Sequence, residues 1–315
     1  MRISVVVVNL KGRPFIFDCL SSLFNQSFKD FEVILVDNGS EAEELKEIKQ
    51  KFPEIKLIEL GKNYGFAYAC SVGWKEARGK ELAILNNDAF VEPDWLEKML
   101  FCLDSEQSIG GVAPRVINQK TGKLESGGIY PARNGLVYLY QPENSEEPKE
   151  VFGVCGVAGL YRGAMLKEIG FYPEDFYFYY EDADLAYRAR RAGWKTVYCP
   201  EARVWHLGSK TTGEMGIKTY YLARNRLRTI ARNWEGKLIL KNLFPLVFYE
   251  LLSFTGGFLN HPASALKARW DFLKFLAQDL KERKKILARG QKDFNLDRWL
   301  SRDYPGAFQI WKQRR

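Results

Sequence analysis

The sequence predicts an α/β protein built on a mostly parallel sheet with helices on both faces. Short apolar runs alternate with helix-like segments over the first part of the chain, and several runs end in Asn or Asp. Strand and helix alternating at this spacing are typical of a doubly wound sheet. The chain has 315 residues, 46% hydrophobic and 27% charged, which argues against disorder and collagen-like structure.

The elements are predicted from the spacing of apolar residues and from breaks between them. Strands are expected at residues 3–8, 31–36, 55–60, 82–85 and 195–199. Helices are expected at residues 15–24, 41–51, 66–77, 181–192 and 220–233. Between them, residues 115–150 are rich in Gly, Pro, Asn and Glu, which predicts loops and a small hairpin.

Charge is distributed unevenly along the chain. Residues 1–202 contain 24 Lys and Arg against 30 Asp and Glu, whereas residues 203–315 contain 23 against 9. A basic last third of this kind is typical of a protein that binds an anionic membrane, a nucleic acid or a phosphorylated substrate. The alternative is a solvated helical surface. We see no recognised nucleic-acid-binding module, so no nucleic acid partner is expected.

The most apolar stretch, residues 238–259, is interrupted by Lys241, Pro245 and Glu250, so we expect no membrane-spanning helix. Its apolar residues recur at helical spacing and form one stripe. This stripe either packs on the protein core or lies in a membrane interface between basic flanks. The basic segments 224–232 and 281–285 favour the membrane.

Five cysteines, at positions 19, 70, 102, 155 and 199, form no Cys-x-x-Cys pair. This pattern argues against a cysteine zinc site and against a secreted disulfide framework. The N-terminal residues 1–8 are typical of a strand rather than a signal peptide. We therefore expect a cytoplasmic protein and leave open a peripheral position at the inner face of the plasma membrane.

Polar side chains follow three predicted strands. Asn9 ends the first, Asp37 the second, and the segment Asn86-Asn87-Asp88 the fourth. The carboxyl ends of parallel strands meet at one edge of a sheet, where ligands bind, so these side chains are expected to converge. Taken alone, the segment after Asp37 is better explained as a turn, and the segment Asn86-Asn87-Asp88 is equally explained as one.

A second group of carboxylates, Glu181, Asp182 and Asp184, opens a predicted helix after the aromatic run 176–180. These side chains either cap the helix or stand at the wall of an aromatic pocket, where a carboxylate suits a general base. His206 is one of two histidines. It is either structural or a partner of Asp88 for a metal ion.

In their order and spacing, these segments resemble the inverting family-2 glycosyltransferases of the GT-A fold, particularly the rhamnosyltransferase-like branch. The matching segments are VVVVN at 5–9, VDNGS at 36–40, NYGFA at 63–67, LNND at 85–88, EDADL at 181–185 with Arg188, AGW at 192–194, WH at 205–206 and YLARN at 221–225. The first motif position before Asp88 carries Asn86 rather than Asp, and Pro173 stands where the family usually has Asp.

The resemblance implies a role for each of these residues. Donor-binding residues would be Asn9, Asp37, Asn63, Gly65, Asn86 and Asp88. Asp88 and His206 would hold a divalent cation, Mn²⁺ or Mg²⁺. Asp182 would be the catalytic base, and the acceptor-binding residues would be Tyr180, Glu181 and Asp184.

The expected domains are a GT-A unit at 1–233, with a donor half at about 1–115 and an acceptor half at about 116–233, and a basic amphipathic helical region at 234–315. The expected activity is metal-assisted, inverting transfer from a dTDP-rhamnose or UDP-hexose type of nucleotide-sugar to a hydroxyl of a glycan or lipid-linked saccharide. The alternative is a non-catalytic nucleotide-sugar-binding or scaffold protein at the membrane face.

Overall fold

The computed structural model of the chain describes residues 1–13, 15–141, 146–208 and 215–301. The strands are β1 (Ile3–Asn9), β2 (Phe31–Asp37), β3 (Lys56–Glu59), β4 (Glu81–Asn86), β5 (Ala89–Val91), β6 (Ile109–Asn118), β7 (Leu124–Ser126), β8 (Ile129–Pro131), β9 (Val137–Leu139), β10 (Lys149–Val151), β11 (Ala158–Arg162) and β12 (Lys195–His206). The helices are α1 (Ile16–Phe24), α2 (Ala42–Lys51), α3 (Phe66–Lys75), α4 (Trp95–Asp104), α5 (Gly163–Ile169), α6 (Glu181–Arg191), α7 (Met215–Asn233), α8 (Gly236–Lys241), α9 (Leu243–Asn260) and α10 (Pro262–Arg289).

One large sheet runs through the molecule in the strand order β10-β12-β6-β11-β4-β1-β2-β3. Strands β4, β1, β2 and β3 are mutually parallel, and β12 is parallel to β6. Strand β11 lies antiparallel between β4 and β6. The predicted α/β architecture is confirmed, with a mixed rather than purely parallel sheet.

Strand β1 shows why the sheet needs helices on both faces. Its valines alternate, so that Val6 and Val8 pack in one apolar core with α3, while Val5 and Val7 pack in the other with α1 and α4. A strand buried on both faces carries a continuous apolar run rather than alternating polar residues. The run of valines in the sequence therefore reports burial on both sides.

The strand ends converge as the sequence predicts. In the parallel register Asn9 of β1 lies beside Asp37 of β2, and Val8 lies beside Asn86 of β4. The predicted hairpin in residues 115–150 is also present, as the two-stranded sheet β8–β9. Strands β5, β6, β7, β10 and β11 were not predicted, and β12 extends to His206, well beyond the predicted end at residue 199.

Helix α7 departs most from expectation. Its four arginines, predicted to flank a membrane-binding stripe, are buried, and therefore that part of the membrane argument is wrong. Arg228 is fully buried and pairs with Asp279 on α10 through two bonds of 2.9 Å. Arg226 pairs with Glu250 on α9, and Arg232 with Asp184 on α6. Buried charges are tolerated only when paired and hydrogen-bonded, and these are.

Helices α9 and α10, which follow residue 233, are joined to α7 by side-chain pairs. The predicted boundary between a GT-A unit and a C-terminal region thus crosses a buried interface that includes the Arg228–Asp279 pair. The division into two units remains a prediction, and its last residues, 302–315, lie outside the described residues. Within the described ranges, α9 is the one helix long and apolar enough to cross a membrane, judged by length and composition.

We predict that Asp279→Ala lowers the free energy of unfolding by about 3 kcal/mol, because it removes the buried carboxylate that Arg228 and Arg232 share and leaves each arginine with one carboxylate, Asp175 or Asp184. The measurement is urea unfolding followed by circular dichroism. Glu282→Ala, on the same helix, removes the partner of Lys285 from an exposed pair and is expected to cost less than about 1 kcal/mol. Equal losses in the two variants would contradict this account of α7.

Candidate active site

Asn9 organises the polar edge of the sheet. Its Nδ2 donates to Asp37 Oδ1 at 3.3 Å, to Ser40 Oγ at 3.1 Å and to Glu44 Oε1 at 2.7 Å. Its Oδ1 accepts a bond of 3.1 Å from Asn87 Nδ2. One buried amide therefore joins the ends of β1, β2 and β4 to the start of α2.

Asp37 closes the turn that follows β2. Its Oδ2 accepts bonds of 3.0 Å from the backbone N–H groups of Gly39 and Ser40, and the residue is 1% exposed. These are the contacts of an Asx turn, and Gly39 adopts φ +105°, a conformation that suits glycine. The turn interpretation of the sequence describes these contacts, and a contact of Asp37 with a nucleotide stays a prediction.

The loop before α3 is joined to the same edge and to the aromatic segment. Asn63 Oδ1 accepts from Asn38 Nδ2 at 3.0 Å and from the backbone N–H of Gly65 at 2.9 Å. Gly65 has φ +92°, and an added Cβ would lie 2.5 Å from the ring of Tyr177. The backbone carbonyl of Tyr177 accepts from the N–H of Ala67 in the first turn of α3. Two segments distant in sequence therefore meet at Gly65.

Three strands bring Asp88, Glu125 and His206 together. Strand β5 pairs with β12 so that Ala89 lies beside His206, and β7 and β12 both flank β6. His206 Nε2 lies 3.4 Å from Asp88 Oδ1, and its Nδ1 lies 2.9 Å from Glu125 Oε1. The predicted pairing of His206 with Asp88 is present, whereas no sequence signal pointed to Glu125.

The two carboxylates change the charge state of His206. Burial alone would lower the pKa of the imidazole, but the hydrogen bonds and charges of Asp88 and Glu125 outweigh burial and raise it to about 9. Without a metal ion the ring is therefore cationic at neutral pH and forms an ion pair with both carboxylates.

The donor atoms here fit a hard divalent cation, although they do not form a complete shell. Among the described residues no group of three or more His, Cys, Asp and Glu side chains is arranged to hold a metal ion. However, Asn86 Oδ1 and Glu125 Oε2 are buried and lack a hydrogen-bond partner among the described residues. The carboxylates of Asp88 and Glu125 and the imidazole between them are donor types that suit Mn²⁺ or Mg²⁺, with remaining positions left to a ligand.

Asp182 lies in the first turn of α6 and is half-buried. Its Oδ2 accepts from the backbone N–H of Gly156 at 2.9 Å, and its Oδ1 accepts from that of Ala183 at 2.7 Å. Burial raises the pKa of this carboxyl above its usual value, and the backbone hydrogen bonds oppose that rise only in part. A raised pKa makes a carboxylate a stronger base.

A two-residue span connects Asp182 to the end of β4. Gly156 donates to Asp182, and the carbonyl of the next residue, Val157, accepts from the backbone N–H of Asn86 at 2.9 Å. The neighbouring Cys155 thiol is within electrostatic range of both Asp182 and Glu125. Asp182 is thus linked through Gly156 and Val157 to Asn86, the last residue of β4, two residues before Asp88.

Glu181 stands beside Asp182 with one carboxylate oxygen, Oε2, buried and without a hydrogen-bond partner among the described residues. Burial, reinforced by the charge of Asp182, raises the pKa of Glu181 well above its ordinary value. Tyr180, the residue before it, is buried with φ +70°. Tyr180 and Glu181 therefore form the wall next to Asp182.

Asp184 requires a correction, because it cannot contact an acceptor in this structure. It is fully buried, and it accepts bonds of 2.8 Å from Arg188, Arg232 and Asn233. Burial acts to raise the pKa of Asp184, but the two guanidinium groups outweigh it and hold the pKa well below the usual range. Asp184 ties α6 to α7 through Arg232 and Asn233, and its pair with Arg188 is the part of this structural role that the i, i+4 spacing indicates.

Two residues that the sequence did not single out individually hold the aromatic segment. Asn225 Nδ2 lies within 2.9 Å of the carbonyl oxygens of Phe176, Phe178 and Tyr179. Arg224 Nη2 donates to the carbonyls of Asp175 and Phe176. The segment contains three tyrosines, at 177, 179 and 180, with positive φ, a strained conformation for residues with a side chain.

Comparison with known proteins identifies the family to which the chain belongs. The family described as Glycosyl transferase family 2 matches residues 4–170, which is more than half of the chain. The chain belongs to this family. The match begins in β1 and spans Asn9, Asp37, Asn63, Gly65 and Asp88, and the predicted GT-A fold and membership of this family are confirmed.

Individual relatives agree with the family match. An N-acetylglucosaminyl-diphospho-decaprenol L-rhamnosyltransferase of Mycobacterium tuberculosis is 26% identical over 238 residues, covering 66% of this chain and 77% of the relative. The protein is thus a glycosyltransferase similar to a rhamnosyltransferase.

Two solved structures share its fold. S. aureus TarS, in complex with UDP-GlcNAc, matches with a TM-score of 0.59 at 17% identity and covers 91% of each chain. GalNAc-T7, crystallised with UDP, GalNAc and Mn²⁺, matches with a TM-score of 0.63 at 20% identity. The match covers 75% of this chain but only 48% of GalNAc-T7, so about half of that protein has no counterpart in the alignment.

We predict that Gly65→Ala destabilises the protein more than Gly61→Ala does. Both glycines have positive φ, so each substitution costs about 1–2 kcal/mol of backbone strain. An added Cβ at Gly61 meets no atom within 4 Å, whereas one at Gly65 collides with Tyr177. The collision is expected to add about 1–3 kcal/mol in urea unfolding. Equal destabilisation would contradict the contact between these segments.

Proposed function

We propose that this glycosyltransferase moves a sugar from a nucleoside-diphosphate sugar to a hydroxyl of a glycan or lipid-linked saccharide, with inversion at the anomeric carbon. The observation that carries the proposal is the position of Asp182. Asp182 lies half-buried at the start of α6 and accepts a hydrogen bond from Gly156. The next residue, Val157, bonds to Asn86 at the end of β4. A base and a site for the donor diphosphate would thus be adjacent.

In the proposed reaction the acceptor oxygen attacks the anomeric carbon as the bond from that carbon to the diphosphate oxygen breaks. Asp182 accepts the proton of the acceptor hydroxyl, and its backbone hydrogen bonds hold the carboxylate in a fixed orientation. A divalent cation bound by Asp88 and His206 would neutralise the charge of the leaving diphosphate. Tyr180 and Glu181 would line the acceptor side.

On the donor side, we propose that Asn9, Asp37, Asn63, Gly65 and Asn86 shape the nucleotide pocket. Asn9 and Asn63 act by holding strand ends and loop in register, as their hydrogen bonds indicate. The donors we expect are of the dTDP-rhamnose or UDP-hexose type. The acceptor class is supported by the mycobacterial relative, whose name includes a diphospho-decaprenol lipid.

The donor site is tested by thermal denaturation with UDP-, dTDP- and GDP-sugars, each with and without Mn²⁺ or Mg²⁺. A ligand that binds only the folded state adds about 2.7 kcal/mol to the free energy of unfolding at a hundredfold excess over Kd. The melting temperature rises accordingly. We expect one nucleotide class to stabilise the protein in a metal-dependent way. Asp88→Ala should abolish the metal-dependent part, whereas Asp94→Ala, which alters an exposed pair with Lys98, should retain it.

The same experiment separates the proposal from the non-catalytic alternative. A chain that binds a nucleotide-sugar but transfers no sugar to any offered saccharide acceptor, and releases none to water, would support a binding or scaffold role. A chain that binds no nucleotide-sugar at all, with or without metal, would refute the donor site.

We predict that Asp182→Asn lowers kcat by about 10²–10⁴-fold and leaves the donor KM nearly unchanged, because the amide cannot accept the acceptor proton. Glu174→Gln is the matched control, since it also replaces a carboxylate by an amide. Glu174 lies in the segment before α6 and pairs with Lys75 at the surface. Near wild-type turnover in Asp182→Asn would rule out this residue as the base.

The pH profile offers a second readout of the same residue. The base works when ionised, so activity is present above the pKa of Asp182 and is lost as the pH falls through it. Because burial raises that pKa, the acid limb of kcat/KM should lie above about 3.9, the ordinary value for aspartate. The residual rate of Asp182→Asn should lack this limb.

A further inference from the structure

Helix α9 is oriented with its polar side towards the protein and its apolar side towards solvent. Glu250 and Tyr249 contact Arg226 of α7, and Ser253 lies 3.3 Å from Arg269 of α10. Opposite them, Phe244, Phe248 and Leu251 are exposed, with Phe244 at 81%. The buried arginines require polar partners, which explains the orientation of the polar side. It does not explain why the outer side is apolar.

The exposed apolar surface continues from α9 onto α10. Leu266, Trp270 and Leu273 are exposed and recur at helical spacing. Leu266 and Leu273 lie three residues before and four residues after Arg269, which pairs with Glu250 of α9, so they share the side of α10 that is next to α9. We call these six exposed residues of α9 and α10 the outer face. Contiguous exposed apolar surface of this kind marks an interaction site.

The charges around the outer face select its partner. Residues 236–289 contain ten Lys and Arg against four Asp and Glu. Two of the four acids, Glu250 and Asp279, are used by arginines of α7. The side chains of Lys267 and Lys274, beside Trp270, are mostly exposed, and the two share one carboxylate, Asp271, so one positive charge remains. An apolar surface with a positive rim complements an anionic bilayer, whereas two copies of this chain would bring like charges together.

We infer that the outer face of α9 and α10 docks on an anionic phospholipid bilayer, with both helices lying in the plane of the interface. Helix α9 has 18 residues, about 27 Å in length, which suffices to cross a membrane. The contacts of Glu250 with Arg226 and Arg269 hold it on the protein instead. Helix α9 therefore presents one side to the lipid and retains its protein contacts on the other.

The outer face is coupled to the acceptor side of the site, and this part of the inference rests on the proposed function. Arg226 contacts Tyr249 of α9 and donates to the carbonyl of Asn134, and its charge acts on the buried hydroxyl of Tyr180. Tyr180 precedes Glu181 and Asp182. Docking would hold the acceptor wall at a constant height above the bilayer, where a lipid-linked hydroxyl lies.

Flotation of the full chain with vesicles tests the inference. Vesicles of phosphatidylglycerol and phosphatidylcholine should bind the protein, more weakly at high salt, and vesicles of phosphatidylcholine alone should bind it less. Phe244→Ser and Phe248→Ser should each weaken binding by about tenfold, because a phenylalanine leaves the lipid. Phe101→Ser is the matched control, since Phe101 of α4 is 79% exposed and lies outside the outer face.

Three outcomes would overturn the inference. These are no vesicle binding by the wild-type chain, equal loss of binding in Phe101→Ser and Phe248→Ser, or a dimer in sedimentation that Phe248→Ser dissociates while vesicle binding is absent. Binding is measured without donor or acceptor. Vesicle binding by an inactive chain would therefore refute only the proposed function, and sugar transfer by a chain that ignores vesicles would refute only the docking.

Discussion

The pairing of buried arginines on α7 with carboxylates from other elements is the interaction on which the acceptor side of this molecule depends. Arg228 and Arg232 share Asp279 of α10, Arg232 also binds Asp184 of α6, and Arg226 binds Glu250 of α9. An unpaired charge at these positions would cost several kcal/mol, so each pair fixes the place of a whole helix relative to α7. The helix that carries Asp182 and the helices of the outer face are thereby positioned by one element.

The same helix stabilises the strained segment that leads into α6. Three tyrosines with positive φ cost of order 1–3 kcal/mol each, and such a conformation persists only where surrounding contacts determine it. Asn225 and Arg224 supply those contacts by binding the carbonyl oxygens of residues 175–179. Side chains of α7 thus fix the backbone that precedes Glu181 and Asp182. The strained backbone lies next to the residue proposed as the base.

The donor side is held differently, by neutral amides rather than ion pairs. Asn9 links three strand ends, and Asn38 with Asn63 links the loop before α3 to β2. The two buried carboxylates of this edge, Asp37 and Glu44, accept hydrogen bonds from the Asn9 amide rather than from a cationic side chain. Asp88 follows β4 in the turn before β5, and it meets His206 of β12, which also lies 2.9 Å from Glu125 of β7, in the other half of the sheet. The proposed cation would therefore bridge the two halves of the site.

The sequence by itself determined the order of strands and helices up to β4, the convergence of Asn9, Asp37 and Asp88, and the family. These depend on the local periodicity of apolar residues, which the sequence contains, and on the rule that parallel strands end at one edge of a sheet. Only the tertiary structure decided the use of charge. Arg226 and Arg228 look like surface cations, Asp184 like a site residue, and Glu125 like a loop residue, because Glu250, Asp279, Arg232 and His206, which pair with them, lie far away in sequence. The inward orientation of the polar side of α9 has the same cause, since it follows from arginines on another helix.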